Sequence, residues 1–234
     1  MTRSAAVCKT ARLPMQNYRV IDLTHTLLPG QEQYTVDIKQ RGKPREGPTG
    51  DIMHDLSMWS HSGTHVEVSL HFYAGGRDTA DFPPDTFVGP AVRLDFRHKQ
   101  VNEAITLDDI KKAGNVRKND IVILWEGRDH QYRTKQSHDR PYLDHDAAKW
   151  LIHDRKIKLL GTDSSGFEVR GVSNHPNHHL FFKPGVDVPV VECLRNLGSI
   201  PTDRFFFVGM PIPIKGIDAS PIRAVALIGE AFQQ

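Results

Sequence analysis

Residues 59–72 read "WSHSGTHVEVSLHF" and set His61, His65 and His71 around a single acid, Glu67. The way this stretch folds decides what the rest of the chain must provide. Positions 61, 65, 67 and 71 share one parity, so an unbroken strand would turn all four side chains to one side. At about 3.3 Å per residue, however, that strand would hold His61 and His71 ~33 Å apart. One strand cannot gather them. A helix would pair 61 with 65 and 67 with 71 but separate 65 from 67, and "SG" and "VEV" are poor helix formers. What remains is a strand carrying His65 and Glu67 at i and i+2, preceded by a turn at "SGT" (62–64). Gly63 lets the chain double back there and bring His61 to the other two.

Imidazole nitrogens and a carboxylate suit zinc or manganese, and a catalytic site of this type keeps one position open for water. A metal there lowers the pKa of its water to about 7 and polarises a bound carbonyl, which is hydrolase chemistry. The chain also has thirteen histidines, and several, in "RDHQY", "QSHDR" and "LDHDA", sit in polar loop or helix-edge settings. Spacing alone leaves both a metal site and histidines scattered through an ordinary strand open.

Working outward, strand-like runs recur at 19–27, 65–72, 91–97, 120–127, 157–163, 188–194, 204–212 and 222–228. Each is short, rich in β-branched or aromatic residues, and closed by Gly, Pro or Asp. Two helices are predicted between them. One spans 107–113, with Thr106 as N-cap, Asp108 and Asp109 in its first turn and Gly114 at its end; the other spans 144–155, with Asp144 as cap. Many strands and few helices predict an α/β domain on a mixed β-sheet core, without the regular alternation of a doubly wound fold. The segment "QRGKPREGPTGD" (40–51) reads as an exposed loop, either a lid or a plain connection.

Composition narrows the class. The 234 residues fit one domain with its own core, 18–234, behind a flexible N-terminal tail, 1–17. The formal net charge of +2, with no basic stripe carrying interleaved aromatics, argues against nucleic acid as a partner. No apolar run approaches the ~20 residues of a membrane span, and the tail lacks the apolar stretch of a secretory signal. Cys8 and Cys193 do not make a disulfide framework, so a cytoplasmic protein is expected.

The segment "HSGTHVEVSLH" resembles the pattern His-x-Gly-Thr-His-x-Asp-x-Pro-x-His of the cyclase-like metal-dependent hydrolase family, which includes bacterial kynurenine formamidase and isatin hydrolase. The resemblance continues through "VIDLTHTLLPG", "KLLGTDSSGFE" (158–168), "HHLFF…VVECLRNL" (178–197) and "MPIPIKGIDASPIRAVAL" (210–227). It implies the family's swivelling β/β/α-type fold and one or two divalent ions, Zn or Mn. His61 and His65 correspond to ligands, Glu67 stands where the bridging Asp does, and His71 corresponds to the catalytic general base and acid. His178 and Glu192 correspond to the remaining ligands, with His179 the rival of His178. A carboxylate such as Glu192 in an apolar strand is costly to bury unless paired or metal-bound. The resemblance also implies a homodimer or homotetramer.

Three positions depart from the pattern. Glu67 replaces Asp and adds a methylene, Ser69 replaces a Pro that would bend the chain before His71, and Tyr34 falls where formamidases carry a substrate-stacking Trp. The function expected is hydrolysis of a small amide, cyclic amide or lactone by a metal-activated water. The competing expectation is a catalytically impaired protein that binds metal or a small ligand on the same scaffold.

Overall fold

A nine-stranded sheet forms the frame of the molecule. In spatial order it runs β1 (Arg19–Asp22), β13 (Val225–Ile228), β11 (Arg204–Val208), β5 (Val88–Asp95), β7 (Ile121–Trp125), β9 (Leu159–Thr162), β10 (Val190–Glu192), β4 (His65–Glu67) and β12 (Ala219–Pro221). Strands β5, β7, β9 and β10 are parallel; every other pairing in the sheet is antiparallel. Two small ribbons stand apart: β2 (Val36–Arg41) with β3 (Met53–Met58), and β6 (Ala104–Ile105) with β8 (Tyr142–Leu143). The computed structural model describes residues 18–41 and 51–230. The expected tail, 1–17, and most of the 40–51 loop lie outside the described residues.

The parallel centre is buried on both faces, and its sequence shows why. In "IVILW" of β7, Val122 and Leu124 enter one core while Ile121 and Ile123 enter the other. The first core is roofed by α1 (Leu107–Ala113), α2 (His145–His153) and α3 (Pro176–Phe181), which contribute Ile110, Ala147, Leu151 and Phe181. The second collects Phe205 and Phe207 of β11 and Ala226 of β13. Helix α1 occupies its predicted span because its signals are local. Thr106 Oγ1 accepts from Asp109 N, and the Asp109 carboxylate accepts from Thr106 N, a reciprocal capping box. Helix α2 is capped by Asp144 and ends two residues short of the expected 155.

Three sequence expectations are corrected. The centre alternates strand and helix through β5, α1, β7, α2, β9, α3 and β10, more regularly than composition suggested. A third helix exists, α3, only six residues long and entered from His175 in the left-handed region (φ 39°). The strand expected over 65–72 stops at Glu67, and Ser69–His71 form a 3-10 turn. Gly76 packs so tightly on this turn that a Cβ there would lie 2.7 Å from the Ser69 carbonyl oxygen. Ser69 Oγ accepts from Arg77 N at 3.0 Å. The bend before His71 is thus made without proline.

Among the described residues no helix is long and apolar enough to cross a membrane. The C-terminal ends of the four parallel strands share one edge of the sheet, where ligands of open α/β sheets bind. Glu126 follows β7, Asp163 follows β9 and Glu192 ends β10.

Candidate metal centre and active site

Strand β4 enters this edge between two later strands. Its register sets His65 opposite Glu192 of β10 and opposite Pro221 of β12, and Glu67 opposite Val190 and Ala219. Alternation sends Val66 into the core and leaves His65, Glu67 and Glu192 on the other side. Gly63, at φ +70°, makes the return turn. His61 is thereby brought to 3.2 Å from His65 (Nδ1 to Nε2) and 2.9 Å from Glu67 (Nδ1 to Oε1).

Each imidazole is oriented by its other nitrogen. His65 Nδ1 meets the Gly63 carbonyl at 2.9 Å, leaving Nε2 3.3 Å from Glu67 Oε1 and 4.0 Å from Glu192 Oε2. His178 Nδ1 lies 3.3 Å from Glu168 Oε1, leaving Nε2 3.7 Å from Glu67 Oε2 and 3.9 Å from Glu192 Oε1. Glu168 also fixes the start of α3, accepting the backbone N–H groups of Asn177 and His178 at 2.6 and 2.8 Å. His61 Nε2 meets Asp218 Oδ2 at 2.9 Å. Such partners set the tautomer and direction of imidazoles that ligate metals.

The structure therefore brings His61, His65, Glu67, His178 and Glu192 together. It separates His178 from its rival: His179 is exposed and its ring packs edge-on against Phe72 and Tyr73. The longer Glu67 side chain lies between two sets of imidazoles, Oε1 facing His61 and His65 and Oε2 facing His178. Glu67 Oε2 is buried without a hydrogen-bond partner. A buried anionic oxygen in that state is answered by a cation, and the mixed nitrogen and oxygen donors fit a divalent ion. Two donor groups, His65–Glu67–Glu192 and His61–Glu67–His71, share Glu67.

His71 comes off the 3-10 turn, half-exposed, with Nδ1 2.8 Å from Asp218 Oδ2. One carboxylate oxygen thus holds both His61 and His71, while Ser60 Oγ donates to Asp218 Oδ1 at 3.0 Å. Hydrogen bonds from these two histidines hold the Asp218 carboxyl well below the usual carboxylate range. Burial disfavours charge on His61, yet hydrogen bonds to Asp218 and Glu67 outweigh it and raise the group to about 10. Burial likewise opposes charge on Glu67, but His61 and His65 pull it well below its ordinary value. Glu192, buried beside the Glu67 charge, is pushed up.

Sequence reasoning missed Asp218, Glu168 and two cavity residues. His138, read as a polar loop histidine, lines the site together with Ser165, whose Oγ lies 3.0 Å from His138 Nδ1. Tyr34 also lines it, stacked on Trp59 with ring centroids 5.3 Å apart. The one signal for Asp218 was its place as the single acid of the closing segment "MPIPIKGIDASP", where Lys215 is the only other charge.

A curled mixed sheet with few helices and a buried imidazole–carboxylate centre at the carboxyl edge of its parallel strands defines a class of sheet-borne metal-site proteins. The family model described as "Putative cyclase" matches residues 21–169, and the chain belongs to that family. Kynurenine formamidase of Salinibacter ruber is 27% identical over 173 residues, covering 73% of this chain and 77% of that protein. A solved structure titled "predicted metal-dependent hydrolase" from Bacillus stearothermophilus superposes with a TM-score of 0.73 at 27% identity, covering 90% of this chain and 98% of that one. Isatin hydrolase A from Ralstonia solanacearum shares the fold, with a TM-score of 0.76 at 23% identity over 91% of this chain and 92% of that one.

Proposed function

We propose that the protein is a metal-dependent hydrolase of small amides, cyclic amides or lactones, of the arylformamidase type, with His71 as general base and acid. The observation that carries this reading is the Asp218 carboxylate, which ties the Nδ1 of His71 to the same anchor as His61. An imidazole oriented by a carboxylate thus stands beside a set of donors for a divalent ion. His61, His65, Glu67, His178 and Glu192 would hold the ion, Zn or Mn, and the bridging position of Glu67 admits two. When bound, it supplies Lewis acidity to a water and to the carbonyl being cleaved.

The chain's own groups do the rest. Asp218 accepts from His71 Nδ1, so the proton-accepting nitrogen of His71 is Nε2, free of protein partners among the described residues. Nε2 takes a proton from the attacking water and returns it to the leaving nitrogen or oxygen, while Asp218 stabilises the imidazolium between the two events. Tyr34 and Trp59 offer a stacking wall for an aryl group. Relatives named kynurenine formamidase and neighbours named isatin hydrolase support this substrate range.

The test is a hydrolysis panel of N-formylkynurenine, isatin, lactones and cyclic imides, run before and after chelation and with Zn²⁺ or Mn²⁺ restored. Turnover that is lost on chelation and regained with metal supports the reading. Stoichiometric metal with no turnover on any member favours a binding protein on the same scaffold. We also propose a homodimer or homotetramer joined through the β2–β3 ribbon, where the cross-strand pair Ile38 and Leu56 are 52% and 57% exposed. A two-stranded ribbon is marginal alone, and burying this pair would steady it. Light scattering during size-exclusion chromatography, with Leu56→Lys as the contrast, tests it.

A further inference from the structure

The imidazole–carboxylate centre lies where two cavities meet; Glu67, His71, His138, Ser165 and Glu192 line both. The first cavity, about 300 Å³, has the aromatic wall of Tyr34, Trp59 and Tyr132. The second, about 430 Å³, is lined by Arg140 and Arg170. Arg170 pairs with Asp139. Arg140 is different: among the described residues its guanidinium makes one hydrogen bond, from Nη1 to the His138 carbonyl at 3.3 Å, and its Nε is buried without a partner.

No carboxylate of the described residues pairs with the Arg140 guanidinium. Glu126 does not supply the charge, because burial and the neighbouring Asp163 push its pKa up to about 8 and it carries a proton at neutral pH. Glu192 is committed to the centre. The backbone is shaped to leave this guanidinium in place: Gly166 has φ +112°, and a Cβ there would stand 2.7 Å from Arg140 Nη2. A half-buried cation with one neutral acceptor is costly unless an anion completes it, and the planar fork of arginine matches a carboxylate. Glu67, Glu168 and Glu192 line the same cavity, so a monoanion is favoured over a dianionic phosphate, which they would repel.

The geometry points to Arg140 as the specificity-determining residue for an anionic substrate: an amide or lactone that also bears a carboxylate, bound by Arg140 in the second cavity while its apolar part lies against Tyr34 and Trp59 in the first. The inference rests on the hydrolase reading above for its kinetic test, but not for its binding test.

In the kinetic test, metal-loaded protein is given formanilide and 2-formamidobenzoate, which differ only in the carboxylate. The expected kcat/KM preference for the anionic partner is about 10- to 100-fold, carried mainly by KM. In Arg140→Gln the preference falls to within about threefold, and Arg140→Lys, which keeps the charge but loses the fork, recovers part of it. An unchanged preference in Arg140→Gln, or none in the parent, overturns the proposal. In the binding test, calorimetry with 2-aminobenzoate against aniline is expected to show binding of the acid alone, weakened at least about tenfold in Arg140→Gln. Equal binding of the two probes, or tighter competition by phenyl phosphate than by benzoate, overturns the assignment of a carboxylate. If neither substrate turns over while 2-aminobenzoate binds through Arg140, it is the hydrolase reading that fails and the anion site that stands.

Discussion

Two pairs of buried acids sit at the same edge of one sheet and keep different company. Glu67 and Glu192 are surrounded by the imidazoles of His61, His65 and His178. Glu126 and Asp163 have no such company. Asp163 accepts from the backbone N–H groups of Glu126, Gly127 and Arg128, and Ser164 Oγ donates to Glu126. Burial penalises charge at both places, but the surroundings decide the outcome. Glu67 is held ionised by hydrogen bonds from His61 and His65. Burial raises Asp163 to about 7 despite its backbone donors, and burial with the nearby Asp163 raises Glu126 to about 8. The first pair holds an anion at Glu67 beside a raised Glu192; the second is raised at both members. Buried carboxyls become candidate ligands where imidazoles surround them and proton-keeping groups where only backbone and hydroxyl donors do.

The comparison is broken most severely at Glu67. Glu67→Ala removes the carboxylate shared by both donor groups, and bound metal is expected to fall below about a tenth of the parent's with turnover down ~10³-fold or more. Elemental analysis of protein purified without a histidine tag checks the first figure and kcat the second. His71→Ala should lower kcat by about 10²- to 10⁴-fold while metal content stays near the parent's, because His71 moves protons. A parent-like kcat in that variant removes the proposed base. Asp218→Asn keeps the shape but not the charge that both His61 and His71 rest on, and a loss of about 10- to 100-fold in activity or metal affinity is expected.

The proton-keeping pair gives the smallest effect, on stability. The folded pKa of Glu126, about 8, lies above the ordinary carboxylate value, so between these limits the folded state holds a proton that the unfolded chain has lost. Its contribution is fully present below the unfolded pKa and declines as pH rises toward about 8. The slope is at most about 1.4 kcal/mol per pH unit for one proton. Glu126→Gln, a neutral mimic, is expected to flatten this decline in urea melts between pH 5 and pH 8. An undiminished slope would show that Glu126 is charged in the fold.

What the sequence made legible follows the range over which each signal acts. Thr106 and Asp109 specify the start of α1 within four residues, and the helix forms where they place it. His61, His65 and Glu67 are gathered by one strand and one glycine turn, so their spacing could be read directly. His178 was reached through family resemblance, since a six-residue helix begun from a left-handed His175 leaves no periodic trace, whereas Glu192 was also marked by the cost of burying a carboxylate in an apolar strand. The strand expected over 65–72 is too long because the alternation of apolar and polar residues continues past Glu67 while the backbone leaves the sheet. Local pattern marks Asp218 only as the single acid of its segment and gives no sign of its partners. Asp218 reaches His61 and His71 because β12 pairs with β4, across 157 and 147 residues of sequence.

That strand order also sets a schedule for synthesis. β4 carries His65 and Glu67, but both of its neighbours in the sheet, β10 and β12, lie more than a hundred residues later in the chain. A nascent chain that has emerged only to residue 180 presents the "HSGTH" segment with nothing beside it. It lacks Glu192, and it lacks the carboxylate that orients His71. A donor set that includes Glu192, with His71 oriented by Asp218, is therefore assembled only after nearly all of the described chain has left the ribosome, and histidines translated early are joined by acids translated late.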